Sequence, residues 1–148
     1  MQSQEVNNLI IARLFPGENV FEQLKAICSK HNLIAGVIVS GVGQFGFIEL
    51  GFFKEKGNYM SQKLESPLEV LNIAGIISKN EKKEYDFHLH IALSDENKKA
   101  FGGHFINGMV SITLEVAILK TGIAIKRRTE EETGLSGLFL EQNSNFKF

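Results

Sequence analysis

Hydrophobic and polar positions alternate with two different periods along this chain, and each change of period marks an element. Residues Leu9 to Phe15 alternate with period two and stop at Pro16-Gly17, which predicts a strand ending in a turn. Beyond the turn, Val20, Phe21, Leu24, Ile27 and Cys28 recur at helical spacing, with Glu22, Gln23 and Lys25 between them. Asn19 or Glu18 suits the cap of this helix, which ends near His31-Asn32. A helix with one apolar stripe needs a sheet beneath it.

Nearly everything downstream predicts strand. "AGVIVS" is apolar and β-branched, and "GFIELGFF" follows a glycine-dense corner at Gly41, Gly43 and Gly46. "KEKGNY" reads as a hairpin turn. "PLEVLNIAGIIS" comes next, bounded by Pro67 and the polar run "KNEKKEYD", and then "FHLHIAL", "MVSITLEVAIL" and "GIAIKRR". Short strands at this spacing predict antiparallel pairing rather than βαβ units. The expected fold class is α+β: a curved, antiparallel-rich sheet with one main helix packed on it. A single domain is expected over residues 1–148, with its core at about 9–125 and a frayed tail at 141–148.

Composition sharpens this picture. Glycine occurs 14 times and proline twice, and Gly46, Gly51 and Gly75 fall inside strand patterns, which predicts bulges or close backbone approach. Twelve phenylalanines and no tryptophan supply an aromatic core, and Phe45, Phe47, Phe52 and Phe53 are dense enough to serve a subunit interface as well. The one cysteine, Cys28, excludes an intrachain disulfide and sits on the helix stripe, where burial makes it inert. No apolar run follows a basic N-terminus and none is long enough to span a bilayer, so a cytoplasmic protein is expected.

Charge weighs against nucleic acid as the main partner. The net charge is −1, and the basic spots Lys82-Lys83, Lys98-Lys99 and Lys126-Arg127-Arg128 are short and followed closely by acidic residues. They read as a solvated mixed-charge surface, and DNA binding is expected to be weak at most. Sequence motifs exclude other chemistries: GxSxG, GxxxxGK[ST] and CxxC are absent. Gly41-x-Gly43-x-x-Gly46 has the letters of a dinucleotide fingerprint, but strand follows it instead of helix.

Three of the four histidines lie in "HLHIALSDENKKAFGGH", residues 88–104. In "FHLHIAL" the alternation puts Phe87, Leu89, Ile91 and Leu93 on one side of the strand and His88, His90 and Ala92 on the other. Side chains two apart on one face are ~6.5 to 7 Å apart, so two imidazoles can lean onto one ion at ~2.0 to 2.1 Å from each nitrogen. Gly102 and Gly103 let the backbone turn sharply and return His104 beside that face. Three neutral imidazoles leave a tetrahedral zinc one open position for water or a ligand. Three histidines packed at a subunit interface and bonded to carbonyls satisfy the same spacing. Glu115, which shares a face with Thr113, is a candidate acceptor for a histidine N–H if its strand lies beside "FHLHIAL", and Glu69 is a second such carboxylate. Plain exposed glutamates are the competing reading for both. His31 reads as a C-terminal cap or an exposed residue.

"RLFPGENVFEQL" (13–24), "SGVGQFGFIELGFF" (40–53), "SPLEVLNIAGIIS" (66–78), "FHLHIALSDENKKAFGGHF" (87–105) and "LEVAIL" (114–119) occur in the order found in the PPC domain, also called DUF296. The chain resembles the stand-alone prokaryotic type over roughly residues 9 to 125. The resemblance implies an antiparallel-rich α+β fold that assembles as a homotrimer. It also implies that His88, His90 and His104 match positions able to hold a divalent metal, with zinc favoured. Plant members follow AT-hook motifs in nuclear DNA-binding proteins, and this chain has no R-G-R-P hook. Two function classes follow. The first is a homotrimeric metal-binding protein that binds or processes a small ligand. The second is a DNA-binding or regulatory domain whose histidines are structural. No second catalytic group fixes a reaction.

Overall fold

In the computed structural model residues 1–140 are described, so the expected frayed tail at 141–148 lies outside the described residues. Over the described residues the chain is mostly antiparallel β-sheet with one short helix. Its elements are β1 (Gln2–Val6), β2 (Leu9–Leu14), α1 (Val20–Lys30), β3 (Ala35–Glu55), β4 (Asn58–Leu64), β5 (Leu68–Lys79), β6 (Tyr85–Ser94), β7 (Ala100–Thr121), β8 (Ile125–Thr129) and β9 (Ser136–Leu140). Among the described residues no helix is long and apolar enough to cross a membrane.

Helix α1 forms where the period-3.6 pattern predicts it. Asn19 caps it, its side-chain oxygen accepting from the Glu22 amide at 3.2 Å, and Glu22 and Lys30 complement the helix dipole at either end. Its stripe of Val20, Leu24, Ile27 and Cys28 is fully buried. Burial pushes the Cys28 thiol up to about 12, which keeps it protonated and unreactive.

Seven strands pair in the order β1-β2-β7-β6-β5-β3-β4, and β7 also pairs with β3. That extra pairing closes β3, β5, β6 and β7 into a ring. The closure rests on the two long strands, each of which changes partner along its length. β7 lies beside β6 over Ala100–His104 and beside β2 over Leu114–Leu119, while β3 flanks it on the other side. β3 in turn passes from β5 to β4. Register shifts between Ile38 and Ser40 and between Gly43 and Phe47 bend β3 enough to allow this. The expected glycine-dense corner is therefore a set of bulges within one strand.

Inside the ring and under the helix runs one contiguous core. Phe45 and Phe105 stack at 5.6 Å between ring centroids, and Phe21 joins them from the helix at 5.0 Å from Phe105. Of the four dense phenylalanines, Phe45 is core, whereas Phe52 is 67% exposed.

The structure also departs from the sequence reading. The sheet begins before residue 9, because β1 pairs with β2 from Gln2 to Val6. His31 is the C-cap of α1, as its position suggested, but it is not exposed: its ring meets Ser3 Oγ at 2.9 Å and Glu5 Oε2 at 3.1 Å. Lys120 donates to Glu5 and to the His31 carbonyl, both at 2.7 Å, and lowers the Glu5 pKa. This cluster ties β1, α1 and β7 together. The basic triplet is not wholly solvated either, since Arg127 is 4% exposed.

Candidate metal centre

Strand β6 buries Leu89, Ile91 and Leu93 on its inner face and turns His88 and His90 outward, as strict alternation requires. Beyond the turn at residues 95–99, β7 returns antiparallel and sets His104 directly opposite His90. Gly102 and Gly103 do not make the turn that the sequence suggested. They lie within β7, opposite Ala92 and Ile91. Glycine is needed at Gly102 because a Cβ there would stand 2.1 Å from the Ile91 carbonyl oxygen. The doublet thus permits tight pairing of β6 and β7 instead of a chain reversal.

The three histidines meet. Their ring centroids are 5.5 Å apart for His88 and His90, and 5.4 Å from His104 to each of the others. One nitrogen from each ring lies within 4.8 Å of the other two. Nitrogens bound tetrahedrally at ~2.05 Å are separated by about 3.3 Å, so small side-chain rotations bring the set to metal-binding distances. Among the described residues none of the three rings hydrogen-bonds to a protein group, which leaves their nitrogens available.

The surroundings favour neutral imidazole. Crowding by protein lowers the His88 pKa first, then the charges of Arg127 and His90, with Asp86 acting in the opposite sense. For His104 the order is burial, then His88 and His90. Neutral rings are the form that binds a metal.

The histidines occupy a cleft of about 720 Å³, walled by Phe52, Phe53, Tyr59, Phe87 and Leu135, with Asp86, Arg127 and Ser136 as further polar groups. Tyr59 stands edge-on to His104 at 6.3 Å and fills the space left by Gly51, the neighbour of His104 on β3. Burial raises its pKa, so it presents a hydroxyl at neutral pH.

Neither glutamate expected beside the site reaches it. β7 is one continuous strand, and Glu115 sits eleven residues beyond His104, about 36 Å along an extended chain, paired with Arg13 and Val42. Glu69 is exposed and accepts from Gln44 Nε2 at 2.8 Å. The carboxylate that does stand near is Asp86, which the same alternation puts on the His88/His90 face and which sequence reading passed over. Arg127 and Tyr59 were also missed. Arg127 comes from β8 and Tyr59 from β4, so only tertiary structure brings them here.

Comparisons place the chain among known proteins. The Plants and Prokaryotes Conserved (PCC) domain matches residues 1–122. A metal-containing protein from Archaeoglobus fulgidus shares 26% identity at a TM-score of 0.81, over 91% of this chain and 95% of that one. A plant- and prokaryote-conserved (PPC) protein from Pyrococcus horikoshii shares 24% identity at a TM-score of 0.78, over 90% and 93% of the two chains. A candidate DNA-binding protein from Bacteroides thetaiotaomicron has the same fold at a TM-score of 0.86, with 22% identity over 93% and 96%. Among curated proteins, the bifunctional protein GlmU of a Synechococcus strain is 26% identical over 132 residues, 88% of this chain but only 20% of GlmU. The chain thus spans about a fifth of the length of the curated relatives it matches. With the domain matched from residue 1 to 122 and the fold shared almost end to end, the chain belongs to the PCC (PPC, DUF296) domain family.

Proposed function

We propose that this chain is a metal-binding PCC-domain protein in which His88, His90 and His104 hold one divalent ion, zinc in preference to others, and present it to a small ligand. The observation that carries this reading is the convergence of three imidazole nitrogens within 4.8 Å on a rigid strand pair. The metal-containing relative from Archaeoglobus fulgidus supports it. Nitrogen ligands alone suit zinc, nickel, copper and iron, and the three-histidine set with a free position suits zinc best. The bound ion supplies Lewis acidity at that free position. Around it, Asp86 sustains the basicity of His88, and the aromatic wall limits water.

Elemental analysis of purified protein tests the proposal. One zinc per chain is expected, and His90→Ala should lose most of it while circular dichroism stays unchanged. Unchanged metal content in that variant would overturn the reading. The competing DNA-binding reading predicts the reverse: no metal, with retention on duplex DNA at physiological salt.

The same reading includes a homotrimer. Leu9, Ile11, Leu119, Val39 and Val42 leave an exposed apolar strip across β2, β7 and β3, the kind of contiguous patch that suits a subunit contact. Three subunits follow from the family resemblance. Light scattering should give a mass near three chains, and a stable monomer would sink this part of the proposal.

A further inference from the structure

Arg127 is the most unusual charged residue in the described chain. It is 4% exposed, and its Nε donates to the buried Ser78 hydroxyl at 3.1 Å. Nη1 donates to the Ser136 carbonyl at 3.4 Å. Nη2 is buried with no partner, and among the described residues no carboxylate, Asp86 included, forms an ion pair with this guanidinium. A guanidinium stays protonated at any working pH, so its burial without a counter-charge is costly unless something supplies the anion.

Of the clefts that Arg127 borders, two already hold Glu81 beside lysines and Arg128, whereas the third carries the histidines and so offers an anion a second anchor. Arg127 lines the histidine cleft together with His88, Asp86, Leu135 and Ser136, and its charge is felt at His88. Among the described residues β8, which carries it, pairs only with β9, in a separate two-stranded sheet docked near β5. A ribbon with no third strand can shift slightly and uncover Nη2. Arg127, Leu135 and Ser136 also lie beyond residues 1–122, the part of the chain matched by the family.

We propose that Arg127 is the anion seat of the histidine cleft, binding the carboxylate of a small organic acid whose other polar end reaches the ion at His88, His90 and His104. The fork of the guanidinium suits a carboxylate in two-point contact. The apolar wall formed by Phe52, Phe53, Phe87 and Leu135 suits a carbon skeleton between the two ends. The reach to the ion rests on the metal-binding reading above; the anion seat itself does not.

Two hydroxamates separate these claims. Acetohydroxamate carries only the metal-seeking head, and succinate monohydroxamate carries the same head with a carboxylate. Calorimetry on the zinc-loaded full chain should show the second binding at least tenfold more tightly. Arg127→Met should close that gap to within twofold while zinc content and acetohydroxamate affinity hold. Equal affinities on the parent protein, or a gap that survives Arg127→Met, would overturn the proposal. Succinate and inorganic phosphate are also titrated separately into the metal-free parent, following the arginine side-chain 15N signals by NMR. This arm needs no variant to fold. Movement of a buried arginine signal by succinate supports the seat even if zinc never binds, in which case the metal reading alone has failed. Silence toward succinate, or a response to phosphate only, overturns the carboxylate assignment.

Discussion

Replacing Gly102 with alanine should damage both the fold and the metal centre, whereas the same change one residue later should hardly matter. A Cβ at Gly102 would lie 2.1 Å from the Ile91 carbonyl oxygen, against a normal carbon–oxygen contact of about 3.3 Å. β6 and β7 must therefore separate by roughly 1 Å, which stretches ladder bonds past useful length. Only five residue pairs join these strands, Ser94–Ala100 to His90–His104, so the strain cannot spread far. Overpacking costs about 1–3 kcal/mol and each lost ladder bond ~1 kcal/mol, giving roughly 2–4 kcal/mol for Gly102→Ala. At Gly103 the nearest atom is the Gly51 carbonyl oxygen at 3.2 Å, a misfit of a few tenths of an ångström. Lower backbone entropy in the unfolded chain offsets part of it, so Gly103→Ala should change stability by about 1 kcal/mol or less. Urea unfolding followed by circular dichroism measures both variants without metal, and competition with a chromophoric chelator measures zinc affinity. Gly102→Ala should also bind zinc at least tenfold more weakly, because His104 moves away from His90. Equal stability and zinc affinity in the two variants would refute the argument that close strand pairing builds the site.

Three further outcomes are expected. The metal-free protein should lose stability as pH falls from 7.5 to 5. His88 and His104 have lowered pKa values when folded, so below the unfolded value of about 6.5 the unfolded chain binds more protons, and the loss ends once pH passes the folded values; a flat melting temperature across that range would contradict it. Phe45→Ala, at a fully buried site stacked on Phe105, should cost about 3–5 kcal/mol in urea unfolding. Duplex DNA retention should be weak at 50 mM salt and absent by about 0.2 M, since the net charge is −1 and Arg127 is withdrawn from the surface; tight sequence-selective binding would reverse this.

Much of the fold was legible because burial follows period. The helix came from its 3.6-residue spacing, with Asn19 one of two cap candidates, and the strand from Leu9 and the outward pair His88/His90 came from alternation. What escaped lacked such a signal. β1 reads "QSQEV", polar apart from the exposed Val6, and buries only Ser3, so its pairing with β2 leaves no buried apolar trace. β7 was read as two pieces because Gly102-Gly103 resembles a turn, and that break misplaced Glu115 near the histidines. Ring closure depends on β3 and β7 each serving partners on both sides, which no local pattern encodes. Arg127 stands in "IKRRT" between Lys126 and Arg128, and its burial comes from docking against Ser78, 49 residues earlier.

The spacing of the histidines within the ring has a consequence for the order of assembly. His90 and His104 are partners only 14 residues apart on one hairpin, whereas the pairing of Ala35 with Thr121 spans 86 residues. Local pairings form first and distant ones wait for a large loss of chain entropy. During synthesis from the N-terminus, all three imidazoles have been made before residues 114–119, against which β2 must pair, exist at all. The three histidines proposed to hold the ion are therefore complete on a hairpin that is marginal by itself, while the strands that close the ring are still missing. An ion captured at that stage would act as a clasp on the nascent chain, fixing the register of β6 against β7 before the rest of the sheet arrives to enforce it.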